Sequence, residues 1–168
     1  IAWKNVQSIS EQGIRIVGAH TDSPGLHLKP NPDTRILNWQ QLQVEVYGGP
    51  LLNSWLDRDL AIAGHVVLRD GTTSLFSSHR PVARIPQLAI HLDREVNDKG
   101  LILNRHQHLS PIWATGTSTE TFEAWLAHQT SVSTSQIASW SAQLIDTQKA
   151  QIFGKDSEFV ASSRIDNQ

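Results

Sequence analysis

The chain reads as an α+β protein rich in strands, and three observations predict it. Apolar and polar residues alternate, with many β-branched side chains, over residues 13–20, 42–47 and 60–69, the two-residue period of a half-buried strand. Asp70-Gly71 lies between residues 60–69 and 72–78 as a hairpin turn signal. One stretch only, residues 119–128, has a clear helical pattern.

The elements follow in order. Ile14-Arg15-Ile16-Val17 carries the first strand, and Gly18 with the Ser23-Pro24 pair ends it. Residues 26–29 and 42–47 are the next two strands. Residues 60–69 and 72–78 pair as a hairpin across a two-residue Asp70-Gly71 turn. Residues 87–92 form a short apolar stretch whose pattern fits more than one element. In the helix, Ser118 or Thr119 supplies the cap, and Glu120 and Glu123 lie where the helix dipole favours negative charge. Phe122, Trp125 and Leu126 share its inner face. Residues 131–135 are a polar break, 140–147 and 151–153 are strands, and Gly154-Lys155-Asp156-Ser157 is a turn. Residues 158–164 then lead to Asp166.

Composition narrows the function classes. A length of 168 residues with 39% hydrophobic content and a mean hydropathy of -0.30 fits a globular domain with a sizeable core. A formal charge of -2 gives no electrostatic case for nucleic acid or an anionic membrane. No apolar run approaches the roughly 20 residues that span a bilayer, and no leader pattern opens the chain. The expectation is therefore a cytoplasmic protein with neither nucleic-acid nor membrane partners. With no cysteine, any metal must be held by histidine and carboxylates. The chain contains no methionine, opens on Ile1-Ala2-Trp3 and stops at Asp166-Asn167-Gln168, which reads as a piece of a longer protein.

Chemistry concentrates in Gly18-Ala19-His20-Thr21-Asp22-Ser23-Pro24. His20 and Asp22 lie two apart at the carboxyl end of a strand, where open α/β sheets place ligand crevices. The imidazole can bind a divalent metal while the carboxylate orients it. On spacing alone, a His-x-Asp pair is more often a turn with a capping Asp. Asp57-Arg58-Asp59 reads as a structural ion-pair cluster, His27, His65, His79, His91 and His128 as structural or surface residues, and the six tryptophans as core and interface anchors. Neither a glycine-rich phosphate loop nor a Gly-x-Ser-x-Gly elbow occurs.

The wider pattern resembles the M18 family of zinc aminopeptidases, the aspartyl aminopeptidases. The matching blocks run in the family's order: Gly18 to Pro24, Lys29-Pro30-Asn31-Pro32, Gln41 to Gly49, and Trp55-Leu56-Asp57-Arg58-Asp59-Leu60. Ile85 to Leu92, His108-Leu109-Ser110-Pro111-Ile112, Asp146-Thr147-Gln148 and Glu158 to Asn167 complete the series. The likeness spans nearly the whole chain and is weakest over residues 115–139.

The resemblance implies a layout and a chemistry. Residues 1–22 and 156–168 would be pieces of an α/β zinc-peptidase catalytic domain, and residues 23–155 a β-rich dimerisation domain inserted between them. His20 would ligate zinc, Asp166 would bridge two zinc ions per active site, and Asp22 would orient His20. His108 would reach from the insert into a partner subunit's active site to contact substrate. The activity implied is release of N-terminal Asp or Glu from peptides by a metal-bound water. The family's general-base glutamate and remaining ligands have no counterpart among these residues, so the chain alone is expected to bind zinc weakly and to be inactive. Homodimers or higher homo-oligomers would form through residues 23–155. The alternatives are an M42- or M20-like metallohydrolase and a non-catalytic β-rich oligomerisation module.

Overall fold

A computed structural model describes residues 16, 18 and 23–163. Among the described residues eight strands and two α-helices follow one another: β1 (Gly25–Ile36), β2 (Trp39–Tyr47), β3 (Leu60–Leu68), β4 (Thr73–Ser77), α1 (Val96–Lys99), β5 (Ile112–Thr115), α2 (Phe122–Thr130), β6 (Ile137–Asp146), β7 (Gln151–Phe153) and β8 (Phe159–Ala161). Six strands form one sheet in the order β4-β3-β6-β1-β2-β5, with antiparallel pairing throughout. β7 and β8 make a separate two-stranded hairpin. The β-rich reading of the sequence is therefore correct.

β1 runs well past Lys29, where the sequence pattern ended it. The reason lies in its register with β2: Leu28 faces Val44, and the next pair is Asp33 with Leu42. Residues 29–32 bulge out of the ladder, so Pro30 and Pro32 sit where no backbone N–H is required. The strand then resumes and turns back at Leu37-Asn38, pairing Ile36 with Trp39. Leu37 takes a φ of 54° there, a left-handed conformation that leucine rarely signals. β6 meets β1 only ahead of the bulge, at His27 and Gln143, but pairs with β3 along its whole length.

The β3–β4 hairpin forms as its alternation predicts, with a different turn. Leu68 N–H donates to the Thr72 carbonyl at 2.8 Å, which leaves Arg69-Asp70-Gly71 as a three-residue loop. Gly71, at φ 87°, takes the position that closes such loops, and Asp70 Oδ1 accepts from Thr72 N–H at 2.8 Å. That hydrogen bond holds the Asp70 carboxyl below its ordinary range.

α2 begins at Phe122 and not at Thr119. Thr121 is its cap, with its hydroxyl accepting from Ala124 N–H at 3.2 Å. A second cap comes from far away in sequence: the Asp33 carboxylate on β1 accepts Phe122 N–H at 2.9 Å. Partial burial there pushes the Asp33 carboxyl up, and the Phe122 N–H pulls it partly back. The preceding turn is fixed by Arg35 and buried Gln40, which both donate to the Ser118 carbonyl at 2.6 Å. Phe122 is fully buried and meets Trp140 of β6 at 4.8 Å and Trp125 at 5.6 Å between ring centres. Trp113 of β5 and Phe76 of β4 complete this aromatic layer. Beneath it, Leu26, Leu42, Leu60, Ile62, Val66 and Leu144 form the sheet core. Each such side chain contributes about 1.5–3 kcal/mol by leaving water.

Candidate functional site

His20, Asp22 and Asp166, the ligands and orienting carboxylate expected from the sequence, lie outside the described residues. Imidazole and carboxylate are zinc donors by type. Among the described residues no group of three or more His, Asp or Glu side chains comes together in a way that could hold a metal.

His108 does lie within the described residues, on an exposed loop between α1 and β5. The chain on its carboxyl side is anchored hard: Leu109 and Pro111 are fully buried, and the Pro111 carbonyl accepts Leu42 N–H at 3.1 Å. Ile112 and Arg84 then exchange both backbone hydrogen bonds, at 2.8 and 2.9 Å. On the amino side, Leu101 and Leu103 pack against the core. Between these anchors the chain ties itself into a closed turn. Asn104 N–H donates to His108 Nδ1 at 3.0 Å, and His108 N–H donates back to the Asn104 carbonyl at 3.0 Å. Asn104 Oδ1 accepts from His106 N–H at 2.9 Å and Gln107 N–H at 3.1 Å. An imidazole whose Nδ1 accepts a hydrogen bond has Nε2 left as its donor. His108 therefore stands at the surface on a rigid base, whereas His106 contributes only its backbone N–H to the turn.

Asp57-Arg58-Asp59 is the structural cluster its sequence suggested. Arg58 pairs with the nearly buried Asp146 at the end of β6 and also donates to the Ser54 carbonyl. Arg84 Nη1 bonds Asp59 at 2.6 Å, and Arg84 Nε lies 3.8 Å from Asp57. Asp57 accepts from Gln87 N–H at 3.3 Å while taking a φ of 55°. These groups tie the 56–60 and 83–87 segments to the sheet edge and leave no carboxylate paired with another for acid–base work.

The remaining histidines are structural or superficial in the same way. His27 stacks on Tyr47 at 5.1 Å, and His128 Nδ1 on α2 lies 3.2 Å from exposed Glu120, just ahead of that helix. His65, His79 and His91 are exposed. An open cavity of about 380 Å³ lies beside the bulge, lined by His27, Pro30, Glu123 and Trp140 among others. The sequence reading did not find this cavity, the Asp33 cap or the Asn104 turn. Only the last left a local trace, an asparagine that can bond its own following backbone four residues before the histidine.

Comparison with known proteins places this architecture. The family model described as aminopeptidase I zinc metalloprotease (M18) matches residues 1–168. A probable M18 family aminopeptidase 2 of Streptomyces coelicolor is 47% identical over 155 residues, covering 91% of this chain and 36% of the relative. Among solved structures, a chain of the Ape4 and Nbr1 complex superposes with a TM-score of 0.75 at 33% identity, covering 84% of this chain and 31% of that one. The M18 aminopeptidase of Thermotoga maritima superposes with a TM-score of 0.66 at 27% identity, covering 84% of this chain and 34% of that one. The chain thus spans between about a third and two fifths of the length of such relatives. With a β-rich sheet of matching shape and a family match from end to end, this chain belongs to the M18 family of aminopeptidase I zinc metalloproteases.

Proposed function

We propose that this chain supplies one metal-binding corner and the assembly domain of a cytoplasmic aminopeptidase that removes N-terminal Asp or Glu from peptides. The observation that carries the reading is the family match over residues 1–168. In it, residues 1–22 and 156–168 belong to the catalytic domain and residues 23–155 to an inserted domain that joins subunits into a homodimer or higher homo-oligomer. In this reading His20 and Asp166 would hold zinc, and Asp22 would orient the His20 ring. When bound, such a metal pair polarises a carbonyl and activates water. His108 donates from Nε2 to an oxygen of the substrate held by the neighbouring subunit, orienting the scissile group.

What supports the assembly half is the surface. Leu88, Ile90, Leu92 and Ile102, all exposed, follow one another in the segment leading to the His108 loop, and exposed apolar side chains in such number favour cover by a partner. What supports the division of labour is the donor count. Two candidate ligands lie in this chain, whereas zinc sites use three or four protein ligands. The 168 residues alone should therefore bind zinc weakly and leave peptides intact.

The test is mutational, in the full-length enzyme. His20→Ala and Asp166→Ala should each abolish hydrolysis together with zinc content. Asp22→Asn should keep most of the zinc and lower turnover by about 10- to 100-fold. His108→Phe should lower turnover with zinc content and subunit association unchanged. Full activity in the His20→Ala enzyme would overturn the site assignment, and strong hydrolysis by the 168 residues alone would overturn the division of labour.

A further inference from the structure

We infer that Asn104 is a positioning residue that fixes His108 as an outward Nε2–H donor, selecting one of the two neutral ring tautomers before any substrate arrives. The inference rests on the reading of His108 as the residue that contacts substrate.

Four hydrogen bonds carry it. The Asn104 side chain spends its Oδ1 on two amides, His106 N–H and Gln107 N–H, at 2.9 and 3.1 Å. That bends the chain back so that Asn104's own backbone meets residue 108 twice, through N–H to Nδ1 and through its carbonyl to His108 N–H, both at 3.0 Å. A backbone N–H can only donate, so the nitrogen facing it must be the unprotonated one. The ring proton is then left on Nε2. The opposite tautomer would place two N–H groups against each other 3.0 Å apart.

The division of roles within Asn104 makes the idea testable. Its backbone donor survives any substitution, but the turn that aims this donor depends on the side-chain acceptor. Asn104→Ala keeps the N–H and loses the aim. Asn104→Asp keeps a side-chain oxygen at the same place and should preserve the turn. The anchors beyond the turn have their own contacts: Leu109 and Pro111 are fully buried, and the Pro111 carbonyl accepts Leu42 N–H.

The experiment is long-range proton–nitrogen NMR on the His108 ring, together with steady-state kinetics on an N-terminal Asp peptide, in the full-length metal-loaded enzyme. The parent should show an acceptor-type Nδ1 and a protonated Nε2. Asn104→Ala should show ring nitrogens averaged between tautomers and a kcat lower by about fivefold, the cost of one lost neutral hydrogen bond, with zinc content unchanged. Asn104→Asp should restore both the ring pattern and kcat. A parent ring protonated on Nδ1, or an Asn104→Ala ring that keeps the parent pattern, would overturn the inference. Failure of the underlying reading looks different: His108→Phe would then leave kcat unchanged whatever the ring nitrogens show.

Discussion

The tripeptide Leu-Ala-Ile occurs twice in this chain, with opposite fates. In β3, Leu60, Ala61 and Ile62 are 0%, 2% and 0% exposed. At the second occurrence, Leu88 and Ile90 are 62% and 45% exposed. Apolarity does not distinguish them, so the backbone must. The first copy lies in β3, which pairs with β4 on one side and β6 on the other, and Ile62 also exchanges hydrogen bonds with Ser78 at 2.9 and 3.1 Å. The second copy follows Pro86, which fixes φ and has no N–H, and Gln87 N–H is taken by Asp57. It then closes a turn through Leu92 N–H and the Ala89 carbonyl at 2.8 Å. A strand needs partners for its ladder, and only the first copy has them.

Substitutions should separate the two copies, with the largest effect in the core. Ile62→Ala should cost about 2–5 kcal/mol in denaturant unfolding, because it removes buried methyl groups and leaves a cavity. A loss below about 1 kcal/mol would show that the β3 copy is not the structural one. Gly64→Ala, two residues along the same strand, should cost about 1–3 kcal/mol through overpacking. A Cβ there would overlap the Ser141 carbonyl oxygen across the β3–β6 ladder, and backbone cannot swing aside as a side chain can. Unfolding midpoints equal to the parent would mean that the strands separate more easily than their register implies.

Next in size comes the cap between β1 and α2. Asp33→Ala should destabilise by about 1 kcal/mol, a typical cap loss. Asp33→Asn tests the charge. The folded carboxyl titrates above its unfolded value, so its stabilising contribution is complete below pH about 3.8 and is lost as pH rises through the folded value. The Asn variant keeps an acceptor for Phe122 N–H and does not titrate. Its stability relative to the parent should therefore rise from pH 3 to pH 6, which urea melts at several pH values can follow. A difference constant with pH would refute the assignment. Smallest of all, Ile90→Ala should change unfolding by less than about 0.5 kcal/mol. If the exposed copy faces another subunit, Leu88→Glu with Ile90→Glu should weaken self-association in sedimentation without lowering the melting temperature.

Legibility in the sequence followed the same rule as burial. The β3–β4 hairpin and the inner face of α2 could be read because their signals are local: alternation, Asp70-Gly71, and Phe122 with Trp125 and Leu126. The β1–β2 turn could not, because Leu37 conceals its positive φ behind an unsuited residue type. Asp33 as a cap for α2 was invisible because its partner lies 89 positions away. The four residues of β5 carry too short a pattern to separate strand from loop, and they are held by pairing with β2. For the site, His108 was placed by resemblance, whereas its tether to Asn104 depends on backbone geometry that a residue string does not print.

The closed turn at residues 104–108 also decides when disorder is removed. An exposed loop ordinarily stays loose in the free protein and gives up its freedom only on meeting its target, weakening the encounter. Here Asn104, His106, Gln107 and His108 have their amides engaged inside five residues, so the freedom is surrendered once, as the chain folds. In hydrogen exchange those four amides should form a slow island within an otherwise exposed stretch. Whatever meets His108 then finds a fixed donor and needs to order only itself.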